Sequence, residues 1–254
     1  MTSPERLRFL IGGRGSPTAL EAVAGLDLAG QAPPGRPRVA LNMVSTADGK
    51  AAIAGRTASI GNRADRELFH ALRTSVDAVM VGAGTVRTER YGRLVRDRAL
   101  REVRVAAGRA PEPWAIVVSA SLDLAPDLPL LAEPEAKVVV MTTSDAELQG
   151  VAAQVGYLRC EQAGGLDVGE LLGRARRELG IASVLCEGGP QLNSTLLAAG
   201  LIDELFLCLA PKLIGGRDLL TIVAGEPQEN ALDLELRWLL EADGHLFARY
   251  TRPD

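Results

Sequence analysis

Between Asp167 and Pro211 the apolar residues change period again and again, with almost nothing between the segments. Val168, Leu171, Leu172, Ala175 and Leu179 fall on one helical face. Asp167 with Glu170 three residues on has the form of a capping box, and Gly180 stops the helix. The apolar run Ile181 to Cys186 reads as a buried strand. Glu187-Gly188-Gly189-Pro190 leads into a second helix carrying Leu192, Leu196 and Ala199, which Gly200 ends. Glu204 to Ala210 is another apolar strand, closed by Pro211. Strands joined through helices over short connections run parallel, and a parallel sheet must be covered on both faces.

The rest of the chain extends that pattern. Arg38 opens a strand in which Val39, Leu41 and Met43 alternate with Ala40, Asn42 and Val44. Asn62 caps a helix with Asp65 near its positive end and Ala64, Leu68, Ala71 and Leu72 on one face. Val76 to Val81 is a strand, apolar except for Asp77; Ala115 to Val118 and Val138 to Met141 are short buried strands. Leu232 to Leu240 alternates, Asp243-Gly244 marks a hairpin turn, and His245 to Tyr250 returns antiparallel. The expected fold is three-layer α/β: a mixed, mostly parallel sheet with helices on both faces and a C-terminal antiparallel hairpin. Residues 1–37 lack a sustained period and end in Pro33-Pro34-Gly35-Arg36-Pro37, so they read as an arm and linker with one short helix near Thr18 to Leu26. Residues 38–254 form the domain.

Composition narrows the function. The net charge of −4 does not favour nucleic acid or an anionic membrane. No apolar stretch is long enough to span a bilayer, and the N-terminus lacks signal-peptide form, so the chain reads as cytoplasmic. Cys160, Cys186 and Cys208 read as buried thiols. With only His70 and His245, and no C-x-x-C, no metal site is expected. His70 lies beside the apolar helix face and reads as structural.

Three junctions beyond strand ends can carry chemistry, the place where open α/β sheets bind ligands. Ser45-Thr46-Ala47-Asp48-Gly49-Lys50 puts an acid and one of only three lysines around a glycine; it can bind a polar substrate, or be a polar turn. Gly82-Ala83-Gly84-Thr85-Val86-Arg87 is a partial dinucleotide fingerprint, or a tight turn. At Glu187-Gly188-Gly189-Pro190 two glycines bare the backbone at a helix start, which favours an anion, while Glu187 suits a ligand's N–H groups. The arginines at 87, 90, 93, 96 and 98 crowd one loop, either a solvated surface or a phosphate grip.

Taken in order, Ser45-x-x-Asp48-Gly49-Lys50, Asp65-Arg66-x-x-Phe69-His70-x-Leu72-Arg73, Asp77-Ala78-x-x-Val81-Gly82-x-Gly84-Thr85-Val86, Glu187-Gly188-Gly189-Pro190-x-Leu192 and Asp203-Glu204-Leu205 with Ala210-Pro211-x-Leu213-x-Gly215 resemble one family. It is the reductase domain of the bifunctional riboflavin-biosynthesis deaminase/reductase, which has a dihydrofolate-reductase-like fold; the resemblance covers about residues 38–251. It implies an NADPH-dependent reductase of a phosphoribosylamino-pyrimidine, delivering hydride to the ribose C1′ of the ring-opened imine. Dihydrofolate or another pterin is the alternative substrate, and a non-catalytic NADPH-binding protein the alternative class. The resemblance assigns catalysis to Lys50, Asp48 and Glu187, with Lys50 at the ribose, Asp48 at the turn or in the proton inventory, and Glu187 on the pyrimidine. Thr57, Arg73, Leu94 and Arg96 would line the substrate. Ser59, Gly82, Gly84, Thr85, Glu89, Ser119, Gly188, Gly189, Pro190, Gln191, Leu192 and Asn193 would line the cofactor. A homodimer is implied. The chain departs from the family pattern in lacking the deaminase motifs, which reads as reductase only, in having Glu89-Arg90-Tyr91-Gly92 where an Asp and a Pro are usual, and in a small displacement of Arg96.

Overall fold

The computed structural model describes residues 3–161, 165–217 and 219–253. The elements in chain order are β1 (Arg8–Ile11), α1 (Ala19–Val23), β2 (Arg38–Thr46), α2 (Arg63–Leu72), β3 (Ala78–Gly82), α3 (Ala83–Thr88), α4 (Arg98–Ala106), β4 (Trp114–Val118), β5 (Lys137–Thr142), β6 (Gln154–Arg159), α5 (Val168–Leu179), β7 (Ser183–Cys186), α6 (Pro190–Ala198), β8 (Glu204–Ala210), β9 (Glu235–Ala242) and β10 (His245–Thr251). The strands form one sheet in the order β1-β9-β10-β8-β2-β7-β3-β4-β5-β6. From β8 to β6 all neighbours are parallel; β10, β9 and β1 add an antiparallel edge.

Local chemistry explains the boundaries. The Asn62 side chain accepts from the Asp65 amide, and the Asp167 side chain from the Glu170 amide. Gly180 ends α5 in the left-handed region at φ 69°, where a side chain would be strained. On one face of the sheet Leu68, Leu72 and Ala64 of α2 pack on Phe206, Phe247 and Trp238. On the other, Leu171 and Leu172 of α5 and Leu196 of α6 pack on Met80, Ile116 and Val184. Asp77, the one polar residue in the β3 run, accepts from the Ala182 and Ser183 amides and from Arg109. It tacks β3 to β7 at their start, away from the strand ends where ligand loops gather. On β8, Phe206 and Cys208 face α2, whereas Leu205, Leu207 and Leu209 face the other way and stay half-buried. Their partners across the ladder, Leu246 and Ala248, extend that face.

The structure corrects the reading of residues 1–37 as an arm. β1 pairs antiparallel with β9, and Leu7, Val23 and Leu28 are buried in the core shared with α2. Too few apolar residues in a row mark this segment in sequence; its burial depends on β9, more than two hundred residues away. The arginine-rich loop contains the helix α4, capped by the Asp97 side chain. Its exposed Val103 and Val105 give no apolar face, because the one buried residue is Arg104. Arg104 is only 1% exposed and donates to the carbonyls of Ala110 (2.8 Å), Arg73 (2.6 Å) and Val76 (2.7 Å). Burial pulls its pKa down to about 10, so it remains a cation at neutral pH and suits the negative end of α2. β6, an edge strand with a single fully buried residue, Leu158, also lacks a sequence signature.

If the N-terminal segment belongs to the core, Leu7→Ala leaves a cavity and costs about 2–5 kcal/mol. Equilibrium urea denaturation measures this; a loss no larger than that of the exposed Arg14→Ala removes Leu7 from the core.

Candidate active site

The three junctions singled out in the sequence come together beyond the carboxyl ends of β2, β7 and β3, which are neighbours in the sheet. The Gly82 amide donates to the Gly188 carbonyl (2.8 Å), so the β3–α3 and β7–α6 turns touch. Gly188 sits at φ +90°, which only glycine adopts freely. A Cβ on Gly189 would lie 2.7 Å from the Thr85 hydroxyl, so the bare backbone permits that approach. Gly84 has no neighbouring atom within 4 Å of where its Cβ would stand.

Helix capping separates these turns from the rest. α1, α2, α4 and α5 each begin on a side chain that accepts a first-turn amide: Thr18, Asn62, Asp97 and Asp167. α3 and α6 begin on Gly82 and Gly189, which have no side chain to offer. Their first-turn N–H groups stay open to an anion, and the α6 dipole favours one. Pro190 at the first helical position removes one donor without cost. These are the features a dinucleotide's phosphates need, and the residues fit such a cofactor. Gln191 is exposed at this end, while the Leu192 side chain is in the core, so only its backbone can face a ligand.

The carboxylate of Glu187 is not open. Arg73 grips it with two parallel bonds, Nε to Oε1 and Nη2 to Oε2, both 2.7 Å. Tyr91 donates its hydroxyl to Oε2 at 2.7 Å. The third Arg73 nitrogen donates to the Leu94 carbonyl (2.6 Å), and its guanidinium lies 4.2 Å from the Phe69 ring centroid. Burial works against the Arg73 charge, but Glu187 outweighs it and raises the arginine's pKa. Burial first, and then Glu187, push the Tyr91 phenol well above its ordinary value. Arg73 and Glu187, expected to face a ligand separately, therefore face each other. Leu94 is buried and contributes its carbonyl to Arg73. Burial, Arg73 and Arg96 lower the His70 pKa against the pull of Glu187 and Asp97. Arg96 is exposed and forms no ion pair among the described residues.

Other expected site residues have structural partners. The Asp48 carboxylate accepts from the Thr46 hydroxyl (2.5 Å) and from the Gly215 amide (2.7 Å). The Thr46 hydroxyl first, then Gly215, hold its pKa below the usual carboxylate range, a poor match to proton donation at neutral pH. Lys50 beside it has no ion-pair partner among the described residues. Glu89 accepts from the amide and hydroxyl of Thr57 (3.1 and 3.2 Å), so those two meet. The Ser59 carbonyl accepts from Lys212 (2.7 Å), which also holds Ile60. Ser119 is buried, and its amide extends the β4 ladder to Met141. Asn193, expected at the cofactor, is fully buried and turned inward: its amide donates to the Ile222 carbonyl (2.7 Å) and Met43 Sδ (3.0 Å). Tyr91, Lys212 and Phe69 are the site residues that the pattern left without a role. Tyr91 was visible only as a departure from the family's usual proline.

The fold is shared with a pyrimidine reductase-like protein from Corynebacterium diphtheriae. That structure is 22% identical with a TM-score of 0.75, over 94% of this chain and 100% of that one. Residues 37–244 match the RibD C-terminal domain, and the chain belongs to that family. The 2,5-diamino-6-ribosylamino-4(3H)-pyrimidinone 5′-phosphate reductase of Methanothermobacter thermautotrophicus is 34% identical over 221 residues, 85% of this chain and 98% of that protein. A diaminohydroxyphosphoribosylaminopyrimidine deaminase/5-amino-6-(5-phosphoribosylamino)uracil reductase from Thermotoga maritima is 25% identical with a TM-score of 0.67. It covers 86% of this chain, which spans 57% of it.

The Asp48 contacts make a pH-dependent prediction. Because the folded carboxyl has a lowered pKa, protection of the Ile214 and Gly215 amides is present in full above the ordinary value of 3.8 and is lost only as pH falls below it. Amide exchange by NMR should show this, and Asp48→Ala should abolish the protection at neutral pH. Equal protection in the variant removes the link.

Proposed function

We propose that the chain is an NADPH-dependent reductase of a phosphoribosylamino-pyrimidine in riboflavin biosynthesis. The observation that carries this reading is the pair of uncapped helix starts at Gly82 and Gly189, beside an unpaired Lys50, in a chain of the RibD C-terminal domain family. When bound, NADPH supplies the hydride. The open amides of α6 and the space at Gly84 and Thr85 hold its phosphates, with Glu89 and Thr57 closing the adjacent edge. Lys50 Nζ sits by the ribose and moves the proton that the reduced carbon's nitrogen requires. The acid that flanks it, Asp48, positions the turn. Arg96 supplies a cation for the substrate phosphate, and Glu187 holds Arg73 and Tyr91 in place beside the heterocycle. Three free thiols, with burial raising Cys186 to about 12, suit a reducing, cytoplasmic setting.

Purified protein should oxidise NADPH when given the phosphoribosylamino-pyrimidine, followed by loss of the nicotinamide absorbance. Lys50→Met should lower kcat about a hundredfold or more, as expected for losing a proton-transfer group. Turnover of dihydrofolate alone, or NADPH binding with no turnover on any pyrimidine or pterin, overturns the assignment.

We also propose a homodimer through the half-buried leucine face of β8 and β10. Leu205, Leu207 and Leu209 with Leu246 give a continuous apolar surface, and its burial by a second copy is favourable at about 25 cal/mol per Å². Light scattering should give a dimer mass for the native chain and a monomer for Leu207→Glu. A monomeric native chain rejects the interface.

A further inference from the structure

The sheet order gives a bound dinucleotide a direction. Lys50 follows β2, the open α6 start follows β7, the Gly82 turn follows β3, and the next strand along is β4. With the reactive ring toward Lys50 and the pyrophosphate at the α6 start, the adenosine half runs the other way, over the ends of β3 and β4. Those two ends are level, because Gly82 is the partner of Val118 in the ladder. The adenosine 2′-phosphate, by which NADPH differs from NADH, is one ribose away from the pyrophosphate. A cation that reads it must therefore stand close to the Gly82 turn.

Arg87 stands there. It follows Gly82 by five residues, about 7.5 Å of helix axis. Its side chain is 44% exposed and crosses from α3 to the segment after β4. There Nη1 donates to the Asp123 carbonyl (2.5 Å) and lies 3.2 Å from the Asp123 carboxylate. Both ends of this contact are anchored: Val86 beside Arg87, and Leu122 and Leu124 on either side of Asp123, are buried in the core. The carbonyl bond aims the guanidinium and leaves it most of its five N–H donors. The carboxylate is a weak competitor, because Asp123 is 75% exposed and exposed ion pairs contribute little. A phosphate monoester carries about −1.5 to −2 charge at neutral pH and binds an arginine through two parallel bonds. It replaces the carboxylate and leaves the carbonyl bond in place. The 2′-hydroxyl of NADH offers Arg87 no charge, which is the usual basis on which an arginine at this position of a dinucleotide favours the phosphorylated form.

We propose that Arg87 is a specificity-determining residue for the cofactor, taking the adenosine 2′-phosphate in place of the Asp123 carboxylate and so selecting NADPH over NADH. The inference rests on the reductase reading above and adds the group that reads the cofactor's extra phosphate. A cation in the last turn of α3 also suits the helix dipole. That role changes stability and the binding of both dinucleotides alike, whereas a selecting role changes their ratio.

The experiment is titration of NADPH and NADH, and of the half-molecules 2′,5′-ADP and 5′-AMP, into the wild type, Arg87→Ala and Asp123→Asn. Arg90→Ala, which removes an exposed arginine three residues on, is the control for loss of charge alone. Thermal melting checks folding. The wild type should hold NADPH and 2′,5′-ADP about tenfold or more tighter than their unphosphorylated counterparts, and Arg87→Ala should lose that preference by weakening the 2′-phosphorylated ligands only. Asp123→Asn should raise the preference about twofold to fivefold, the scale of one exposed ion pair, and Arg90→Ala should leave it unchanged. A wild type that holds both dinucleotides alike or prefers NADH, an unchanged ratio in Arg87→Ala, an equal loss in Arg90→Ala, or no gain in Asp123→Asn overturns the proposal. Should Arg87→Ala not fold, the Asp123→Asn ratio decides it. A wild type that binds neither dinucleotide rejects the reductase reading itself, a result distinct from an unchanged ratio in a protein that binds both.

Discussion

Three elements far apart in sequence meet on one buried carboxylate. Glu187 stands at the end of β7; Arg73 caps the end of α2; Tyr91 and Leu94 belong to the loop after α3. Two charges out of water cost more than their attraction returns unless every donor is matched, and removing one partner of such a pair typically costs about 3–5 kcal/mol. Here three Arg73 donors are matched. Both carboxylate oxygens and the outward guanidinium nitrogens are used, and Phe69 covers the arginine. Arg104 then fixes the backbone of Arg73 from below. The position of the α2 end relative to the sheet is thus set by hydrogen bonds with direction as well as by the apolar contact of Leu72.

The second ordering device is the connection from β8 to β9, of which residues 211–217 and 219–234 are described. It is stitched across the carboxyl ends of the strands. Ala47 donates to Lys212, Asp48 accepts from Gly215, Ala51 donates to Leu220, Asn193 reaches Ile222, and Ala224 donates to Pro190. Asp48 and Asn193 therefore act on the ligand loops by holding this strap. Their side chains are spent mainly on backbone groups, whereas Lys50, Arg96 and the first-turn amides of α3 and α6 are still able to meet a ligand.

Where a cap, a period and a stop coincide, sequence and structure agree. α5 starts on Asp167 and ends on Gly180, and β8 and the Asp243-Gly244 hairpin fall where alternation and turn chemistry put them. Where one of the three is missing, the element is hidden. α4 buries an arginine in place of an apolar stripe, β6 has one fully buried residue, and β1 depends on a strand at the opposite end of the chain. The residues of the candidate site divide the same way. The backbone geometry at Gly82, Gly188, Gly189 and Pro190 was legible because each carries a local backbone consequence. The partners of Glu187, Arg73 and Asn193 were not, because a side chain's free valence depends on who else is near it.

Sequence alone therefore determined the alternation of strands and helices, the mixed sheet and the three junctions beyond its strand ends, all consequences of periodicity and backbone geometry within a few residues. Tertiary structure decided which polar groups remain unspent. Lys50 and the first-turn amides of α6 are open, whereas Glu187 is bonded on both oxygens, because Arg73 and Tyr91 reach it across the fold. Hydrogen-bonding capacity is finite and is divided among neighbours in space, so no reading along the chain can count what is left.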